Sequence, residues 1–448
     1  MNLFKDKDGK PRKLGCWAKI LIGIVAYVAL YFLFSFVQEQ LAIVRLDAHS
    51  VYRIDLKGTL VEQGQEPNPM TELLATLDGN AKETIGLNDL LDNIRLAKES
   101  EKVEGIYLRG GSLAVGQASA KAIRDALLDF KSSGKWIVAY ADRYSQSNYY
   151  ICSVADKIYL NAIGEVDWKG LCAEKMYFTR ILENIGVEMQ IIKVGTFKSA
   201  VEPYFRTSMS EADRLQTEKY VGGVWNILKE GVSESRGIAV ETLDEYADMY
   251  MGLQRSEKMV ECGLVDSLCY IQDMDSVLTQ IAGTTDYVIV KHSKMCEITR
   301  PKNKAKDKIA ILYAEGEITD ESGDGIVGKK MVRTIRKIER DNDVKAVVLR
   351  VNSPGGSADA SEQIWHAMTT LQAKGLPVVV SMGDYAASGG YYISCSADRI
   401  FAQSNTLTGS IGIFGLIPSF AELRDKVGID IDGIQTNRHS LMFTNMIY

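Results

Sequence analysis

Short apolar runs alternate with helical patterns along most of the chain. The order is clearest in its second half. Ile309-Ala310-Ile311-Leu312-Tyr313 reads as a strand, Ala346-Val347-Val348-Leu349 as a buried strand and residues 358–373 as a helix. Val378-Val379-Val380 and Ile400-Phe401-Ala402 read as further strands, separated by a helix over 386–396 that is entered through Ala387-Ser388-Gly389-Gly390. Such alternation predicts an α/β fold with a mostly parallel sheet covered by helices. In the first half, Tyr52-Arg53-Ile54-Asp55-Leu56 reads as a strand, and residues 211–233 as a long helix with Ser210 as its N-cap.

One stretch breaks this rhythm. Residues 20–37 (ILIGIVAYVALYFLFSFV) carry no charge. At 1.5 Å per residue the run spans about 27 Å, which predicts one transmembrane helix. Lys5, Lys7, Lys10, Arg12, Lys13 and Lys19 precede it, whereas Glu39 is the only charge in 38–42. The excess of positive charge predicts a cytoplasmic tail over 1–19, a tether over 38–51 and everything later outside the cytoplasm. A cleaved signal peptide is the competing reading. It calls for a small-x-small site, which Val37-Gln38-Glu39-Gln40-Leu41 lacks.

The pattern also repeats. Tyr149-Tyr150-Ile151-Cys152 returns as Tyr391-Tyr392-Ile393-Ser394, and Ala155-Asp156-Lys157-Ile158-Tyr159 as Ala397-Asp398-Arg399-Ile400-Phe401. Leu108-Arg109 matches Leu349-Arg350, and Gly134 matches Gly375. A repeat of this length predicts two fused globular modules rather than a solenoid. We place the first at 52–290 and the second at 309–448. The linker, 291–308, contains Pro301 and then Lys302, Lys304, Lys306 and Lys308 at alternate positions.

Composition narrows the function. The 448 residues carry 52 Lys and Arg against 58 Asp and Glu, a formal charge of −6, which argues against a nucleic-acid binder. The seven cysteines show no C-x-x-C pair or zinc-ligand spacing, and read mainly as buried free thiols. The four histidines sit in no distinctive setting, although His439 stays open as a candidate. The pattern calls for no metal or other cofactor.

Three segments carry candidate chemistry. Ser410 lies in Thr408-Gly409-Ser410-Ile411-Gly412, where flanking glycines permit close approach of a substrate backbone. A helix starting there would favour a developing negative charge; a plain turn or helix cap is the alternative. Lys198, in Gly195-Thr196-Phe197-Lys198-Ser199-Ala200, lies in an otherwise apolar stretch where desolvation favours a neutral amine. Its alternatives are a surface lysine or a partner of Glu202. Asn352-Ser353-Pro354-Gly355-Gly356 follows a strand and reads as an oxyanion loop or an ordinary Pro-Gly turn. Aligned by the repeat, Ser410 falls opposite Trp168 and Lys198 opposite Ser440, so each module holds one half of a nucleophile–base pair. The first module also has Ser147-Asn148 where the second has Gly389-Gly390, and no Pro-Gly-Gly.

Together these motifs, with Ala386-Ala387-Ser388-Gly389-Gly390-Tyr391-Tyr392 and the continuation Ile413-Phe414-Gly415, resemble the signal peptide peptidase A (protease IV) family in its long, tandem-module form. The resemblance covers the apolar N-terminal run and nearly the whole chain. It implies two tandem Clp-protease/crotonase-like modules behind one transmembrane helix, with Ser410 as nucleophile, Lys198 as general base, and Gly355 and Gly356 around the oxyanion. It further implies a single-pass protein of the inner (cytoplasmic) membrane with its modules extracytoplasmic. The implied assembly is a ring-like homo-oligomer, a tetramer, and the implied substrates are hydrophobic signal-peptide remnants. Long-form members continue past the counterpart of Tyr448, so a second module cut short is expected. An inactive scaffold of the same fold and a crotonase-like acyl-thioester enzyme are the rival expectations.

Overall fold

The computed structural model describes residues 44–64, 84–300 and 305–440. The expected transmembrane segment at 20–37 lies outside the described residues, among which no helix is long and apolar enough to cross a membrane.

Two parallel sheets form, one per module. The first has six strands in the order Val288–Lys291, Ser50–Asp55, Val103–Arg109, Trp136–Tyr144, Lys157–Val166, Ser267–Leu268. The second runs Lys308–Glu315, Val344–Ser353, Val378–Ala387, Arg399–Phe401, and Leu407–Gly409 pairs further along Val378–Ala387. Every ladder in both sheets is parallel, as strand–helix–strand alternation requires.

The covering helices form because their apolar residues recur every three to four positions. Leu87–Glu99 buries Leu87, Leu90, Ile94 and Ala97; Ala358–Ala373 buries Ala360, Ile364, Met368 and Leu371. Ser357 caps the latter, its Oγ accepting from Ala360 N at 3.1 Å. Its bounds match the expected 358–373. Ser210 caps the long helix as expected, accepting from Asp213 N, but that helix runs to Arg236, where Gly237 ends it in the left-handed region.

Several expected boundaries move. The strand expected at Val378–Val380 continues to Ala387, because its second half pairs with Leu407–Gly409. The helix expected over 386–396 shrinks to Gly389–Tyr392. The tether and linker also contribute to the first module. Leu46 and Met295 enter its core, Val44 bonds Thr299, and His292–Glu297 is a helix docked against Leu87–Glu99 and Ser50–Asp55. Of the six described cysteines, all free, only Cys152 and Cys262 are buried, and Cys172, Cys296 and Cys395 are exposed. The expectation of mainly buried thiols therefore fails.

The modules interlock. Phe414–Ser419 of the second pairs antiparallel with Glu188–Lys193 of the first, in register from Phe414 opposite Lys193 to Ser419 opposite Glu188. Buried Glu62 pairs with Arg350 at 2.8 Å and accepts from Asn352 Nδ2 at 2.9 Å. Asp384 accepts from Ser119 Oγ and N, at 2.7 and 2.9 Å. Ionic contacts of this kind define a docking register more than they add stability.

Candidate active site

The antiparallel ladder assembles the site. Lys198 follows Lys193 on one strand, and Ser410 precedes Phe414 on the other, so antiparallel pairing carries both to the same end. The crossing is tight. Val194 N donates to Ile413 O at 3.1 Å, and a Cβ on Gly412 would stand 2.4 Å from Val194 O. Only glycine fits there, at a φ of 127°.

Lys198 is buried, and its Nζ lies 3.2 Å from Ser410 Oγ, 2.8 Å from Ser410 O and 2.9 Å from Ser388 Oγ. Burial lowers its pKa from the ordinary 10.5. It has no acidic partner among the described residues; Glu202 instead accepts from Ser210 N and Oγ, at 3.0 and 2.6 Å. A neutral amine has two N–H donors and one lone pair. Donation to Ser410 O and Ser388 Oγ leaves that lone pair to accept the Ser410 hydroxyl proton.

Ser410 is exposed and stands at a φ of 49°, with Gly409 at 84° before it. Left-handed residues in succession cannot start a right-handed helix, so the helix N-terminus considered for Ser410 does not form. The serine instead occupies the turn between Leu407–Gly409 and Phe414–Ser419. Such backbone strain in a non-glycine residue is typical of functional turns. Ser388 is a second case, at a φ of 53°, and its N donates to Gly409 O at 2.9 Å. Sequence reasoning placed Ser388 at a helix entrance and gave it no role; the signal was a serine just before Gly-Gly where the first module has Gln146.

Gly355 packs beside Ser388, and Gly356 against the Ile318 backbone. A Cβ on Gly355 would stand 2.7 Å from Gly389 N, and one on Gly356 2.0 Å from Ile318 O. The two amides differ, however. Gly355 N–H donates to Ser353 Oγ at 3.1 Å, whereas no hydrogen bond engages Gly356 N–H among the described residues. Pro354, Leu407 and Ser410 line one side of a cavity of about 1040 Å³, and Leu171, Lys175 and Tyr220 of the first module line the other.

The repeat-matched residues, Trp168 of the first module and Ser440 of the second, form no such site. Trp168, opposite Ser410, is fully buried and donates from Nε1 to Leu243 O at 2.8 Å. Ser440, opposite Lys198, is exposed. Among the described residues no histidine bonds either member of the pair; His292, for one, contacts Tyr52 OH at 2.7 Å. Among the described residues, no group of three or more His, Cys, Asp or Glu is placed to hold a metal ion.

A mixed α/β architecture with parallel sheets and a buried lysine facing an exposed serine defines the class, and the second module matches the Clp protease family over residues 301–407. The chain belongs to peptidase family S49, which it matches over residues 129–285 and 370–446. It is similar to Protease 4 of Haemophilus influenzae, 37% identical over 87% of this chain and 66% of that protein. Protease 4 of Salmonella typhi is 34% identical over 87% and 65%, and the chloroplastic serine protease SPPA of Arabidopsis thaliana 29% over 80% and 54%. The chain thus spans a little under two thirds of the two Protease 4 relatives and about half of the plant protein.

Proposed function

We propose that this chain is a membrane-anchored serine endopeptidase that degrades cleaved signal peptides through a Ser410/Lys198 dyad. Uncharged Lys198 takes the hydroxyl proton as Ser410 Oγ attacks a peptide carbonyl carbon. The Gly355-Gly356 loop, through the Gly356 N–H, stabilises the negative charge that develops on the carbonyl oxygen. As the C–N bond breaks, the lysine returns its proton to the departing amine, leaving an acyl-enzyme ester. Lys198 then accepts a proton from water as its oxygen attacks the ester; the C–Oγ bond breaks, the acid leaves, and Lys198 returns the proton to Ser410 Oγ. The observation that carries this reading is the buried Lys198 amine, without an acidic partner among the described residues, 3.2 Å from Ser410 Oγ.

The partners belong to the same proposal. The apolar run at 20–37 anchors the chain in the cytoplasmic membrane with residues 1–19 inside and both modules outside. Leu171, Tyr220, Val224 and Leu407 give the cavity an apolar lining suited to hydrophobic peptides. The assembly is a ring of four copies. Its support is an incomplete symmetry: 414–419 pairs with 188–193, but their repeat equivalents, 172–177 and 430–435, have no strand pairing among the described residues. Ile434 and Met176, in those two segments, are 97% and 76% exposed. Pairing each with the complementary segment of a second copy is head-to-tail, the arrangement that closes rings.

The test combines hydrolysis of a hydrophobic peptide with labelling by a fluorophosphonate. Wild type is expected to cleave and to be labelled at Ser410, and Ser410→Ala and Lys198→Ala to do neither. Equal residual hydrolysis in all three would sink the dyad. Turnover of an acyl thioester that survives Ser410→Ala would point to the crotonase-like reading instead.

A further inference from the structure

Behind the lysine loop lie two fully buried carboxylates, Asp213 and Glu202, that the proposed chemistry does not use. Lys198 sits in a stretch without helix or strand between Lys193 and the single turn at Glu202–Tyr204. Its neighbour Ser199 donates from Oγ to Asp213 Oδ1 at 2.6 Å. Gln216 Nε2 donates to Ser199 Oγ at 2.7 Å and to the same Oδ1 at 3.1 Å. Lys175 Nζ adds a third donor to that oxygen at 2.5 Å. At the other end of the loop, Glu202 binds Ser210 N and Oγ. Ser210, Asp213 and Gln216 all belong to the start of one helix, so both ends of the Ser199–Glu202 turn are tied to one rigid element.

We propose that Asp213 is a positioning residue for the hydrolytic reaction, holding the Lys198 loop in register with Ser410 through the Ser199 hydroxyl. This rests on the dyad reading above. Lys198 is long and flexible, and its amine meets Ser410 only if its backbone stays fixed; a displacement of about 1 Å can cost 100-fold in rate. Asp213 suits the task because its Oδ1 takes three donors, while its buried Oδ2 takes none. Burial alone would push its carboxyl up, but the bonds from Lys175, Ser199 and Gln216 outweigh burial and hold it below its ordinary range. The helix N-terminus favours the same charge. With Lys175 paired to it, the carboxylate does not stabilise a protonated Lys198, whose pKa shift has burial as its only cause. Lys175 also lines the cavity, so one carboxylate links the groove wall to the base.

The test uses the chain with Asp213→Asn, Ser199→Ala, Ser199→Thr and the Asp213→Asn/Ser199→Ala double variant, beside wild type and Ser410→Ala. Fluorophosphonate labelling rate, kcat, KM and melting temperature are read for each. Asp213→Asn and Ser199→Ala are each expected to slow labelling and kcat about 10- to 100-fold, with KM within about twofold. Ser199→Thr, which keeps the hydroxyl, should retain the rate, and the double variant should be no slower than Asp213→Asn alone. Undiminished rates, losses that multiply in the double variant, or a loss carried by KM would overturn the role. If Asp213→Asn does not fold, Ser199→Ala against Ser199→Thr decides alone. A wild type labelled no better than Ser410→Ala overturns the dyad and this role with it. A labelled wild type matched by Asp213→Asn overturns only the role of Asp213.

Discussion

In the first module the position matching Ser410 holds Trp168, which packs on Trp225 and Tyr149 at ring separations of 4.9 and 6.0 Å. Nearby, Asn148 Nδ2 reaches Gly111 O at 2.9 Å, and Gln146 Oε1 takes the Lys169 and Gly170 amides at 3.1 Å. In the second module the same region is glycine, open backbone and an exposed serine. The sheets differ likewise. Val51 is 0% exposed and its counterpart Ile309 is 66%; Ile158 is 0% and Ile400 is 41%. The first sheet has Met274–Ala282 against its second face and the added outer strands Val288–Lys291 and Ser267–Leu268. The second has no counterpart of that helix or of those two strands among the described residues. The first module fills this position with core, whereas the second leaves it unburied and strained, the expected opposition between stability and function.

That contrast can be broken most sharply at the dyad. Ser410→Ala and Lys198→Ala should each lower peptide hydrolysis by about 10⁴-fold or more, measured as kcat/KM. Trp168→Ser, which puts a serine where the repeat expects one, should create no second labelling site and only weaken the fold. Trp168→Ala should cost about 3–5 kcal/mol in denaturant unfolding. A labelled serine at 168 would refute the idea that the first module has lost its site. Ser388→Gly should slow turnover about 10- to 100-fold by removing an acceptor from Lys198, judged by analogy with lost oxyanion donors. It should also raise stability by about 1 kcal/mol by relieving the positive φ; a slower enzyme that is not more stable would show that the strain is absent.

Two smaller effects sharpen the picture. Turnover should rise with pH as Lys198 loses its proton, with a midpoint below 10.5 because burial disfavours the charge. The unfolded chain binds that proton more tightly, so burial of Lys198 costs stability below its folded pKa, and the cost vanishes above the unfolded one. Lys198→Met should therefore unfold later than wild type at neutral pH and lose this advantage in strong alkali. Ile309→Ser, on the exposed edge, should change stability by less than about 0.5 kcal/mol, whereas Val51→Ser in the covered sheet should be plainly destabilising.

The repeat made the split between Lys198 and Ser410 legible, because it showed each module missing what the other kept. Periodicity placed the helix after Ser357 and the cap at Ser210, both set by local physics. The exchange of Phe414–Ser419 onto Glu188–Lys193 was not legible. Strand pairing across more than 200 residues leaves no local pattern, and Phe414-Gly415-Leu416-Ile417-Pro418 has little two-residue alternation to betray it. Ser388 was missed for a related reason: its value lies in a left-handed backbone aimed at a residue of the other module. Asp213 reads as an ordinary first-turn acid until the fold sets Ser199 against it.

The crossed ladder also sets a timetable. Ser410 follows Lys198 by 212 residues, so at about 5–20 residues per second a ribosome delivers the base some 10–40 s before the nucleophile. During that interval the first module can fold, its would-be serine position already plugged by Trp168. Ser410 meets Lys198 only when the turn that carries it packs against Val194. Under the proposed dyad, a growing chain therefore holds no complete nucleophile–base pair until its two halves have docked.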